Sequence, residues 1–93
     1  MNDFIKFSGG VLDENGAVIY RRVSGVLIVR KVGKPLKSWS GEFKVESEEI
    51  PALFDGFIVT DEGYEGKAYA TAISNDSRHI EFRGIGPAPV DRP

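Results

Sequence analysis

The sequence predicts an all-β fold: a small antiparallel β-barrel or barrel-like sandwich of six to seven short strands. Three observations carry that expectation. Apolar runs rich in β-branched residues recur at roughly 8–12-residue intervals, the spacing of a sandwich or barrel. Eleven glycines and five prolines fall between those runs, where they turn a chain rather than extend it. There is neither βαβ alternation nor an internal repeat, so antiparallel pairing is expected throughout.

The first expected strand runs from Phe4 to Leu12. Ile5, Phe7 and Val11 share one parity, and Gly9-Gly10 marks a bend or bulge. Asp13-Glu14-Asn15-Gly16 reads as a tight hairpin turn, because Asn-Gly readily supplies positive φ. Ala17 to Val23 returns. Ser24-Gly25 interrupts what would otherwise be one strand as far as Val32, and predicts a bulge or sharp bend. Beyond it Val26-Leu27-Ile28-Val29 is apolar on both parities, as in a strand covered on both faces or passing between sheets.

Gly33 and Pro35 punctuate the chain, and the next strand alternates cleanly. Trp39, Gly41, Phe43 and Val45 fall on one face, and Ser40, Glu42, Lys44 and Glu46 on the other. That period of two signals one buried and one wet face. Val23 to Val45 thus forms a long central hairpin with the only tryptophan at its heart.

After Val45 the chain turns acidic, and Pro51 excludes a central strand. At most one short helical turn near 48–54 is expected, capped by Ser47 and ended by Gly56. Phe57 to Thr60 is a short strand, Asp61-Glu62-Gly63 a turn, and Tyr64 to Ser74 the return. On that return Ala68, Ala70 and Ala72 form a shallow face that should receive a large aromatic such as Trp39. Asn75-Asp76-Ser77 turns the chain into a last strand, Arg78 to Gly84, which points Ile80 and Phe82 inward. Residues 1–86 read as a single domain and 87–93 as an extended Pro-rich tail that pairs with nothing. The expected core includes Ile5, Phe7, Ile19, Val23, Leu27 and Val29. It continues through Trp39, Phe43, Val45, Phe57, Ile73, Ile80 and Phe82.

Ninety-three residues hold one core, not two. The absence of cysteine excludes a disulfide framework and thiolate metal sites. No signal peptide is visible, and the longest apolar run, Val26 to Val29, falls far short of the ~20 residues of a membrane helix. A soluble cytoplasmic protein without a membrane association is the expectation. The net charge of −2 conceals an asymmetry: residues 1–45 carry eight Lys/Arg against four Asp/Glu, and residues 46–93 four against ten.

No motif for a catalytic centre, cofactor or metal rises above background. His79 is the only histidine, and Asp76 and Ser77 beside it are turn residues, so an exposed strand histidine is the favoured reading. Asp61, Glu62 and Glu65 cluster around Gly63 without the alternating ligand spacing of a calcium loop. Gly84-Ile85-Gly86 lacks the third glycine and helix of a dinucleotide site. The one candidate surface is the basic group Arg21, Arg22, Arg30, Lys31, Lys34 and Lys37 within the hairpin 20–44. The functional expectation is a small non-catalytic binding or accessory module that recognises a protein partner. The alternative is a nucleic-acid-binding barrel that uses the basic hairpin, disfavoured because Trp39 shares parity with core residues. A small hydrolase ranks last.

Overall fold

The computed structural model describes residues 2–31, 37–74 and 76–89. Its elements are β1 (Asn2–Asp13), β2 (Val18–Lys31), β3 (Lys37–Val45), β4 (Asp55–Thr60), β5 (Glu65–Ser74) and β6 (His79–Ile85). Neighbouring strands are antiparallel in the order β1-β2-β3-β6-β5-β4, and β4 pairs with β1 to close a six-stranded barrel. Among the described residues there is no helix, and the 46–54 connection contains none of the helical turn that the sequence allowed.

Local chemistry explains the turns. At the first hairpin Asp13 Oδ1 accepts from the backbone N–H groups of Asn15 (2.8 Å) and Ala17 (2.9 Å). Gly16 there has a φ of +87°, which a Cβ would disfavour. Thr60 is buried, and its Oγ1 accepts from the Tyr64 N–H at 3.1 Å across the Asp61-Glu62-Gly63 turn. Of the last expected turn, Asn75 lies outside the described residues.

The expected interruption at Ser24-Gly25 is absent: the register of β2 with β1 and with β3 runs through both residues without a shift. A Cβ at Gly25 would collide with the Glu42 carbonyl and the Phe43 backbone, so glycine is there for the close approach of β3. The bulges lie earlier in β2. Gly9 pairs with Val23, Val11 with Tyr20 and Leu12 with Val18, so β2 fits an extra residue into each interval. Arg21 and Arg22 consequently both face solvent, with Tyr20 and Val23 both inside.

That slip corrects one core expectation: Tyr20 is buried and Ile19 only half-buried. A second correction concerns β4, where Ile58 is buried and Phe57 half-buried on the other face. Both parities there are apolar, and Gly56 decides between them. It lies so close beneath Leu12 and Asp13 of β1 that no side chain fits, which sets Ile58 inward with it. Ile5 and Ile73 pack partly buried against the core, and the other expected residues are buried.

The core is threaded by aromatics. Trp39 meets Phe82 edge-on with ring centroids 5.9 Å apart, Phe82 meets Phe43 at 5.6 Å, and Phe43 meets Phe54 at 5.9 Å. Each such contact adds to area burial by about 0.5–1.5 kcal/mol. The small residues that receive Trp39 are Gly84 and Gly66, not the expected alanines: a Cβ on Gly84 would overlap the indole. Ala68 is buried, and Ala72 is turned out by a register shift between Ala70 and Ala72. Nor does the tail begin free of contacts. Trp39 Nε1 donates to Gly86 O (2.9 Å), Ala88 packs on the core and Pro89 is buried.

Candidate binding groove on the outer face

The alternation that sends Trp39, Leu27 and Phe82 inward sends their neighbours to the outer surface. Register then aligns one residue from each of five strands. Phe4 pairs with Ile28, Ile28 with Ser40, Ser40 with Arg83, and Arg83 with Tyr69. Along this row the outer face is concave, a groove of about 490 Å³ that also takes in Val26, Arg30 and Glu42.

The groove combines apolar surface with unsatisfied charge. Phe4 is 68% exposed, far more than a strand residue facing a core, and Tyr69 is exposed beside Arg83. Val26 and Ile28 form a half-buried aliphatic floor between them. Arg30 and Arg83 are exposed, and neither pairs with a carboxylate among the described residues. Glu42 faces Glu81 directly across β3 and β6, a like-charge pair at the groove margin.

The other end of β2 is arranged differently. Arg21 Nε donates to Glu49 Oε2 at 3.0 Å, and Arg22 Nη1 donates to both Asp61 carboxylate oxygens at 2.9 Å. The Tyr20 hydroxyl donates to Ala52 O and accepts from Ala52 N–H, both at 2.8 Å. Burial raises the pKa of that phenol, the nearby Glu49 charge adds to the rise, and the Ala52 bond opposes it. Arg78 donates to the carbonyls of Val45 (3.0 Å), Ser47 (2.8 Å) and Glu49 (2.6 Å) from a left-handed backbone at φ +59°. The Ser47 hydroxyl donates to Glu49 and, with Arg21 contributing, holds that carboxyl well below its ordinary value, at about 2. These bonds fix the 46–54 connection, whose Phe54 packs against Tyr20 and Phe43.

The basic group of the sequence is therefore divided. Arg21 and Arg22 are tied into ion pairs, whereas Arg30 lies in the groove eight residues on, some ~26 Å along an extended strand. Lys31 and Lys37 stand opposite each other in the β2–β3 register, their side chains outside the described set, and Lys34 lies outside the described residues. Tyr20 and Trp39 are buried and offer no stacking platform. Phe4, Tyr69 and Arg83 do line the exposed face, and sequence reasoning missed them. Their signal was parity alone: each alternates with an inward neighbour, Ile5, Ala68 and Phe82 respectively.

His79 is half-buried and pairs in register with Lys44, and no described hydrogen bond joins it to Asp76 or Ser77. Ser77 Oγ and Ser74 Oγ bond instead to each other at 2.9 Å. Asp61 is occupied by Arg22, and among the described residues no three His, Asp or Glu side chains are placed to hold a metal ion. No family model, curated protein or solved structure matches the chain.

Proposed function

We propose that this chain is a non-catalytic binding module that recognises a protein partner by seating an extended acidic segment in the outer-face groove. One observation carries the reading: Arg30 and Arg83, neither paired with a carboxylate among the described residues, border an apolar strip made by Phe4, Ile28 and Tyr69. Carboxylates of a partner complement the arginines, and an apolar side chain between them covers the strip. A nucleic-acid strand fits less well. The two exposed aromatics, Phe4 and Tyr69, stand on β1 and β5 with β2, β3 and β6 between them, and the floor there is aliphatic, so successive bases find no contiguous stacking platform.

Selection from a displayed library of random peptides tests the reading. Acidic sequences with an apolar residue should be enriched, and their binding should fall at least tenfold in Arg30→Glu/Arg83→Glu and in Phe4→Ala. Enriched peptides that bind these variants unchanged would place recognition elsewhere. Titration with single-stranded and duplex oligonucleotides at low salt separates the nucleic-acid alternative. Tight binding that weakens steeply with salt and is abolished by the arginine reversals would establish it.

A further inference from the structure

The edge that closes the barrel is used over only part of its length. β1 pairs with β2 from Asn2 to Leu12, whereas β4 covers its other edge only from Gly9 to Asp13. Coverage ends where the Asp61 N–H donates to Ser8 O at 2.8 Å. Ser8 therefore turns its main-chain groups away from β2, and by strand alternation Lys6 and Phe4 do the same. Among the described residues no strand or backbone hydrogen bond takes up the edge at Phe4 and Lys6. No bulge or proline interrupts it between Asn2 and Ser8.

We propose that this edge pairs with β1 of a second copy of the chain, antiparallel about Ile5, to form a two-fold dimer. A two-fold axis normal to the sheet keeps each residue on its own face, so only registers that pair like parities are allowed. With Ile5 on the axis, Phe4 of each copy stands opposite Lys6 of the other, and the two pairs exchange four main-chain hydrogen bonds. Each ammonium then lies beside an exposed phenyl ring, a cation–π contact made twice. Centring on Lys6 instead would oppose two ammonium groups, and centring on Phe4 would leave both lysines without a ring.

The surroundings admit the arriving strand. A hollow of about 270 Å³ lined by Lys6, Phe7, Ser8, Thr60, Asp61 and Glu62 lies where β4 leaves β1, and Asn2 of the second copy would run beside it. Ile5, half-buried in one chain, meets its own copy across the axis. The Phe4–Ile28–Ser40–Arg83 rows of the two copies then lie on one continuous sheet face. The dimer does not depend on what fills either groove.

A pairing this short buries less than the ~1,200 Å² of a stable interface, so association should appear at ~1 mM chain and be lost at ~10 μM. Sedimentation equilibrium of the full chain reads it. A monomer throughout that range overturns the proposal. Lys6→Pro removes an edge donor that serves no barrel bond, so it should weaken association at least tenfold and leave the circular dichroism unchanged. A folded Lys6→Pro chain that associates like the wild type overturns it as well.

Cross-linking gives an independent readout of register, because the chain has no cysteine of its own. Ile5 opposite Ile5 is a non-hydrogen-bonded pair with Cα atoms ~4.5 Å apart, within disulfide range. Under mild oxidation Ile5→Cys should therefore form covalent dimer faster than Phe4→Cys, although Phe4 is the more exposed position. Faster cross-linking of Phe4→Cys, or an Ile5→Cys rate no greater than that of the exposed loop variant Leu53→Cys, rejects the register. Arg30→Glu/Arg83→Glu should leave dimerisation intact, which separates failure of the groove from failure of the edge.

Discussion

The two ends of β2 carry arginines that the molecule treats in opposite ways. At the start Arg21 and Arg22 are claimed by Glu49 and Asp61, and the connection carrying Glu49 is fixed by Arg78, Tyr20 and Ser47. At the far end Arg30, with Arg83 across the sheet, faces a groove and meets no carboxylate among the described residues. The acidic second half of the chain explains the difference. Its residues 46–49 and 61 fold back over the start of β2, so the charge asymmetry of the sequence is cancelled locally at one end only. A basic cluster in a sequence becomes a basic surface only where the acidic segments fail to reach it.

The largest expected effect comes from breaking the floor beneath the free end. Trp39 is 3% exposed and seated on glycines of β5 and β6, so Trp39→Ala should cost ~3–5 kcal/mol in urea unfolding. A loss below ~1 kcal/mol would mean that the ring is not core. Gly84→Ala attacks the same contact from the other side, because its Cβ would occupy the indole site. It should cost ~1–3 kcal/mol through overpacking. The two changes share one contact, so their double mutant should fall short of additivity.

How much of this was legible depended on whether one strand carried the signal. β3 was, since Trp39, Gly41, Phe43 and Val45 alternate with polar residues and the structure keeps that division. The start of β2 was not: two bulges shift its parity, and bulges follow from pairing with β1, which is not written in β2 itself. Phe57 and Ile58 were undecidable by pattern, and the tight crossing at Gly56 chose between them. The groove was least legible. It takes Phe4, Ile28, Ser40, Tyr69 and Arg83 from five strands, and only the register brings them into one row.

Releasing the tied end is expected to cost less. Arg78→Ala removes three hydrogen bonds to backbone carbonyls, two of them in the 46–54 connection, while keeping a Cβ in the left-handed region. A loss of about 2–3 kcal/mol should follow, with faster proteolysis within 46–54. Arg78→Gly loses the same bonds and sheds the backbone strain, so it should be the more stable variant by up to ~1 kcal/mol. Equal stability of the two would mean that the positive φ carries no strain.

The smallest effect should be present at neutral pH and vanish in acid, and it isolates the Glu49 carboxylate at the tied end. Glu49 is held at about 2 by the Ser47 hydroxyl, with Arg21 assisting, against an ordinary value of 4.5. A carboxyl with a lowered folded-state pKa binds protons more readily in the unfolded chain. Its contribution is therefore complete above pH 4.5 and is lost as the pH falls toward 2. Glu49→Gln has no such titration. Its melting temperature should lie slightly below that of the wild type at neutral pH, and the gap should close as the pH falls from about 4.5 to 2. Arg30→Gln at the free end loses no ion pair among the described residues and should show no gap that varies over the same range. A constant difference for Glu49→Gln, or a gap for Arg30→Gln that closes in acid, would erase the distinction between the two ends of β2.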